Sequence, residues 1–413
     1  MPAHPLAPAW IIVLALAAMP GLPRPGLAQT GLEPGGATAA PPGAGASAGS
    51  GAAPVPAPAL PGEVPWVIPP SGPFNPETIP VPNAAAIAAW ARSAHADAGS
   101  EAFSHWNDEG EIPPVCANCH SGMGFRAFHG LDGGSPGPLE APVQTGGVVD
   151  CATCHSPGLA DVTEVVLPNG MSHPVPPGEV TCLTCHQGRS SGDSVTAATE
   201  NMPPDTPNPA LSFINPHYAI AAATWLGGHA GLGYQYPGKT YAGRFLHAPP
   251  VTTCNSCHDP HSLRVNETAC RTCHTTGQSR DIRISRQSHD GSGVTTKGIR
   301  ADIDANAARL KSMILDYAAK VAGVPVIYDG ERHPYFFTDA NDDGVVDQSG
   351  GRPVAYNAWT PRLLRAAYNW KFVNADPGAH VHNPPYALQL LHDSMEDLAG
   401  PLDLDFAALG LVR

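Results

Sequence analysis

All ten cysteines of this 413-residue chain fall into pairs separated by two residues, and each pair is followed at once by a histidine. The five sets are Cys116, Cys119 and His120; Cys151, Cys154 and His155; Cys182, Cys185 and His186; Cys254, Cys257 and His258; and Cys270, Cys273 and His274. This spacing suits one chemistry: two thioethers to the vinyl groups on one porphyrin edge, with the adjacent imidazole ligating the iron from below, as in c-type haem attachment. Zinc sites built on Cys-x-x-Cys place no demand on the next residue, and neither does a disulfide framework. With every cysteine used, none remains for a structural bridge. The sequence therefore predicts five covalent c-type haems, with His120, His155, His186, His258 and His274 as proximal ligands.

An attached haem iron needs a second axial ligand, a histidine or methionine, unless it is left open for chemistry. The chain has 19 histidines and seven methionines, two of the latter being Met1 and Met19. Histidine supply is ample, so bis-histidine ligation is the economical expectation, and it implies potentials below those of Met/His sites. One histidine is constrained by its position. In "CNSCHDPHSLRVNETACRTCH", residues 254–274, His261 follows the proximal His258 by three residues. So short a link, stiffened by Pro260, cannot carry the backbone around a porphyrin to its other face. His261 is expected to reach a neighbouring haem, and the sequence leaves open which one.

The elements that must position these residues are sparse. Gly (44) and Pro (47) are abundant, and the motif region shows little periodicity. Residues 1–28 read as an export signal: Trp10 to Ala18 is an apolar run too short to span a bilayer, and Gly26-Leu27-Ala28 offers a small-residue cleavage site. Residues 29–74 form a nearly uncharged Ala/Pro/Gly/Ser linker. Residues 75–294 hold the five motifs as a pentahaem domain, with Asn83 capping a short helix through Arg92. A helix is expected over His217–Trp225, and a turn between two short strands in "YQYPGKTYAG". Residues 295–413 carry helical patterns. Ile303, Leu310, Ile314 and Tyr317 recur at helical spacing, Thr360-Pro361 opens a second helix, and Pro385 starts a third. These helices should pack on the haem core. The fold class expected is a multihaem cytochrome c, mainly loops and short α-helices wrapped around five haems with few β-strands.

With 22 Lys plus Arg against 36 Asp plus Glu, the formal charge is −14, which makes nucleic acid a poor partner. No later apolar stretch is long enough to cross a bilayer, so the mature chain is expected to have no transmembrane segment. Walker loops, dinucleotide fingerprints and nucleophile elbows are absent from the sequence, and no catalytic residue is assigned.

The stretches "SEAFSHWNDEGEIPPVCANCH", "CHDPHS" and "AYNWKFVNADPGAHVHNPPYALQLLHDSMEDL" resemble exported multihaem c-type cytochromes of bacteria that exchange electrons outside the cell. The resemblance covers most of the chain after the linker. It implies a stacked chain of bis-histidine haems, a periplasmic or extracellular redox conduit, and in some relatives assembly into filaments. Residue by residue it favours His105, His217, His247, His261 and His382 as distal ligands, with His129, His173, His229 and His289 in reserve. The expected partners are a redox protein or extracellular electron acceptor, with self-association into a filament as a further expectation. Two other readings compete with a conduit: a multihaem reductase with one open iron, and a structural haem-bearing subunit of a surface complex.

One further pattern is separate from the haems. "DANDDGVVD" sets Asp339, Asn341, Asp343, the Val345 carbonyl and Asp347 at positions 1, 3, 5, 7 and 9 of a calcium loop, but Gly350 stands where an EF-hand needs its bidentate glutamate. The expectation is a weak structural Ca2+ site or an unliganded acidic turn.

Overall fold

A computed structural model describes residues 83–176 and 178–413. The expected export signal and linker, residues 1–74, lie outside the described residues.

Regular structure is short wherever the cysteine motifs lie. Among the described residues every helix before residue 299 has eight residues or fewer, and the strands form four separate two-stranded antiparallel pairs with no closed sheet. Three of the five motifs begin at helix N-termini that the local sequence makes. Pro114 takes the first helical position of Pro114–His120, the Asp150 carboxylate accepts the Thr153 N–H at the start of Cys151–His155, and Thr253 and Ser256 form a reciprocal capping box on Cys254–Cys257. A turn of helix is sufficient, because residues three and four apart share one helix face. Both thiols and the following histidine are thereby presented together.

Two local expectations fail for identifiable reasons. The helix expected from His217 begins at Ala221, because His217 and Ala219 have φ of 96° and 51°, outside the helical region. The segment expected to form two short strands around Pro237-Gly238 forms none. Side chains satisfy its backbone instead: Tyr234 N–H donates to Asn369 Oδ1 (2.8 Å), Tyr236 N–H to the Tyr241 hydroxyl (3.0 Å) and Ala242 N–H to Gln389 Oε1 (2.7 Å).

The C-terminal region supplies the long elements: Ile299–Lys320, Pro361–Asn374 and Pro384–Ala399. In the first, Ile303, Leu310, Ile314 and Tyr317 are buried on one face. It starts three residues before the sequence pattern does, since Asp302 is turned inward to pair with Arg283 and to accept the His289 N–H. Thr360 Oγ1 caps the second helix by accepting Leu363 N–H at 3.1 Å, and the Asn383 side chain caps the third by accepting Tyr386 N–H at 3.2 Å. The helices do not make a core of their own. Leu310, Tyr317, Trp359, Leu363, Tyr368, Tyr386 and Leu390 join Phe125, Leu183, Val195, Ile220, Leu226 and Leu232 of the motif region in one continuous buried cluster. The two regions distinguished by sequence pattern thus fold around a shared interior.

Asn369 ties them polar group to polar group. Its amide accepts from Tyr234 N–H and donates to the Tyr234 carbonyl (2.9 Å) and Ser394 Oγ (3.1 Å), all buried. Asn369→Leu leaves the Tyr234 amide and carbonyl without partners, at about 1–3 kcal/mol for each stranded group. We expect a stability loss on the order of 3 kcal/mol, read as a lower urea midpoint of the holoprotein by far-ultraviolet circular dichroism. An unchanged midpoint would contradict this packing.

Candidate haem-binding site

None of the ten cysteines is paired in a disulfide, and each lies at least partly at the surface. Their segments cluster around the third motif. Cys119 Sγ lies 3.5 Å from the Thr184 carbonyl and in contact with the Cys185 thiol; Thr181 Oγ1 is 3.4 Å from the Thr153 carbonyl; Cys254 N–H donates to Glu179 Oε1 at 2.6 Å. Cys182 also contacts Cys254. The Val180–His186 helix therefore touches the first, second and fourth attachment segments.

Each motif histidine faces a second histidine drawn from elsewhere in the chain. The ring centroids are 5.8 Å apart for His120 and His217, 6.2 Å for His155 and His261, 6.4 Å for His186 and His95, 6.3 Å for His258 and His382, and 6.2 Å for His274 and His247. Only the first pair comes near hydrogen-bonding range, with Nε2 to Nε2 at 3.5 Å. A metal between two imidazoles, with bonds of ~2 Å to each nitrogen, sets the nitrogens ~4 Å apart and the ring centroids roughly 6 Å apart. The five gaps are the width of one metal atom, and the donor set is the one a bis-histidine haem iron takes.

Hydrogen bonds at the far side of several rings fix which nitrogen faces the gap. His120 Nδ1–H donates to the Ala102 carbonyl (2.7 Å) and His186 Nδ1–H to the Ala219 carbonyl (2.6 Å), so Nε2 carries the free lone pair. His382 Nδ1–H donates to the buried Asp376 carboxylate at 2.8 Å. Burial works against charge on His382, but Asp376 outweighs it and raises the imidazole pKa, while the same pairing overcomes burial to lower that of Asp376. At His95 and His217 burial dominates: it pushes His95 down to about 4, helped by His186, and His217 down to about 4, helped by Arg189 and His120. A neutral imidazole is the form that donates a lone pair to a metal.

The second histidines come from turns more than from regular elements. Asp259 accepts the N–H groups of His261 (3.2 Å) and Ser262 (2.7 Å), and a bridge between His258 and Val265 closes the loop, aiming His261 at His155. His217 is held at positive φ with its N–H on Asn215 Oδ1 at 3.0 Å, an outlier of the kind that persists at functional sites. His382 ends the short helix Ala379–His382. His95 lies after the Ala84–Trp90 helix, where its carbonyl accepts Val149 N–H (3.2 Å) and Trp90 Nε1 donates to the Val149 carbonyl (2.9 Å).

Four of the five histidines expected as distal partners, His217, His247, His261 and His382, stand opposite motif histidines. His105 does not. It hydrogen-bonds Glu101 at 2.7 Å and packs on Trp106, and it is Trp106 that contacts His120 edge-on at 5.2 Å. The place expected for it is taken by His217, and His95 serves the third motif. No sequence signal marks His95, which sits in a turn remote from the motif it faces. Among the reserve histidines, His129 Nε2 is 3.0 Å from Thr184 Oγ1, and His289 is fastened to Ser285 Oγ (2.8 Å) and the Val412 carbonyl (2.9 Å). His173 and His229 face each other at 5.8 Å.

The calcium loop accounts for its own acidic groups. Asp339 accepts the N–H groups of Asp343 (3.1 Å) and Gly344 (3.0 Å), Asp347 that of Ala340 (2.9 Å), and Asp343 that of Val345 (2.8 Å). Asn341 donates to Asp343 at 2.9 Å. Among the described residues the only three-member group of gathered acidic and histidine ligands is His392, Asp393 and Glu396, where Arg413 lies 2.7 Å and Lys239 3.6 Å from Asp393.

Five Cys-x-x-Cys-His motifs with five facing histidines are the donor arrangement that c-type haems take. Comparison with curated proteins finds relatives described in those terms. The chain is 27% identical over 265 residues to "C-type polyheme cytochrome OmcB" of Geobacter sulfurreducens, which covers 55% of this chain and 32% of the relative. It is 27% identical over 338 residues to "C-type polyheme cytochrome OmcC" of the same organism, which covers 72% of this chain and 38% of the relative. The chain is distantly similar to these polyhaem cytochromes, and the matches span about a third of their length. No family model matches, and neither does any solved structure. No helix among the described residues is long and apolar enough to cross a membrane.

The cap on the second attachment helix gives a pH prediction. Burial opposes ionisation of Asp150, but hydrogen bonds from Arg126 (2.7 Å) and Thr153 (2.9 Å) outweigh it and hold the carboxyl below the usual range. A depressed acid stabilises the fold above its unfolded pKa, about 4, and loses that contribution as pH falls through the lower folded value. At this partly exposed site Asp150→Ala should cost about 1 kcal/mol at pH 7. Urea midpoints of the two proteins should converge as pH drops below about 4; a difference that persists in acid would contradict the assignment.

Proposed function

We propose that this chain is an exported electron-transfer protein carrying five covalent c-type haems, all with two histidine ligands. The observation that carries the reading is that every motif histidine has a second imidazole across a gap of one metal atom. The proposed axial pairs, in motif order, are His120 with His217, His155 with His261, His186 with His95, His258 with His382, and His274 with His247. Each haem would supply one-electron chemistry at its iron. The chain's own residues attach it, orient both imidazoles and set its surroundings: the Ala102 and Ala219 carbonyls and Asp376 hold rings in place from behind, and Asp376 makes His382 a more electron-rich donor than its neutral counterparts.

Contact between the third attachment segment and three of the others supports short distances between cofactors, as a conduit needs. Full ligation leaves no iron open for a substrate, so this reading is favoured over the reductase. Export and delivery to an extracellular acceptor remain part of the proposal, as does self-association.

Substituting His95 separates this ligand set from the sequence expectation. In the oxidised holoprotein, His95→Ala should convert one low-spin haem to high spin in low-temperature electron paramagnetic resonance, and His105→Ala should convert none. The reverse result would return His105 to the ligand set and overturn the His186–His95 pair.

A further inference from the structure

The five proposed axial pairs leave a sixth histidine pair with the same separation and no cysteines. His173 lies on the strand Ser172–Pro174, and His229 ends a tight turn after the Ala221–Leu226 helix; their ring centroids are 5.8 Å apart, matching His120 and His217. His173 is only 4% exposed, and neither of its ring nitrogens has a hydrogen-bond partner among the described residues. A buried imidazole always presents at least one N–H and, when neutral, one lone pair, and folded proteins rarely strand both. His105, His129 and His289, by contrast, each have a partner at hydrogen-bond distance.

The two rings are held in place independently of anything between them. The hairpin carrying His173 is tied to the turn carrying His229 by Asn169 Nδ2–H, which donates to the Ala230 carbonyl at 2.9 Å. The turn is pressed against Tyr241, where a Cβ at Gly228 would fall 2.7 Å from the tyrosine Cβ.

We infer that His173 and His229 form a non-haem metal site for copper(I). Imidazole is a good donor to copper, and a closed-shell monovalent ion accepts two neutral nitrogens on opposite sides. A divalent ion suits the site less well. Structural zinc takes four ligands, whereas no third histidine, cysteine or carboxylate is gathered with this pair among the described residues. The Arg244 guanidinium, stacked over Trp225 at 4.1 Å, acts electrostatically on His173, and a nearby cation disfavours a dication more than a monovalent ion. A covalent haem is excluded by the absence of cysteines beyond the five motifs.

The inference rests on the five-pair reading only in taking this pair as left over, and the test separates the two. Reduced, oxygen-free holoprotein is titrated with copper(I) against the colorimetric chelator bicinchoninate, and haem is counted on the same samples by pyridine haemochrome. The expected result is one copper drawn from the chelator per chain. His173→Ala and the surface variant His229→Ala should each weaken binding at least ~100-fold, the upper end of what an outer-shell substitution costs, with haem count and low-spin signals unchanged. No copper drawn by the wild-type protein, or equal copper in both variants, overturns the site. So does loss of a low-spin haem signal in copper-free His173→Ala or His229→Ala, which would make the pair part of a haem centre. A haem count other than five bears on the proposed function and leaves the copper titration to be read by itself.

Discussion

Two imidazole rings about a metal atom's width apart are poor hydrogen-bond partners and poor apolar neighbours, and this chain sets five such pairs at its Cys-x-x-Cys-His motifs. Most of the remaining architecture follows from holding those gaps open. The motif halves come cheaply, from single helical turns started by Pro114, Asp150 or Thr253. The facing halves are harder, because each must arrive from a different part of the chain with its lone pair already aimed. That demand explains the irregular backbone at His217 and Ala219, the Asp259 turn that directs His261, and the buried Asp376 behind His382.

The C-terminal helices belong to the same device. They carry little of the haem chemistry, yet their apolar faces merge with the motif region into one core, and Asn369 and Gln389 complete the hydrogen bonds of a loop between the third and fourth motifs. A region so rich in glycine and proline cannot pair its backbone groups through long strands or helices. Side chains from a rigid helical layer supply those partners, and the layer in turn delivers His382 to His258.

The residues differ in how far their roles could be read from sequence. The five motifs can be read without the fold, since the covalent attachment proposed for them would fix both residue type and spacing. So can the three long helices, whose caps at Thr360 and Asn383 and apolar periodicity are local properties. His261 was legible in part: the three-residue link from His258 excludes its own haem, but only the fold shows that it faces His155. His105, favoured by the resemblance, does not stand opposite a motif histidine. Trp106 contacts His120 instead, and His95, which faces His186, sits in a turn with no periodic signature. The strands expected around Pro237-Gly238 do not form because side chains take their backbone groups, two of them, Asn369 and Gln389, more than a hundred residues away.

The central claim is that every haem in the protein has two histidine ligands supplied by its own chain. Spin quantitation of the oxidised wild-type holoprotein, measured as a monomer by low-temperature electron paramagnetic resonance and normalised to haem iron, tests it most directly. The account predicts five haems per chain, all low spin. One high-spin haem per chain in the intact monomer would contradict it and would identify an iron that takes its last ligand from elsewhere or keeps that position for a substrate.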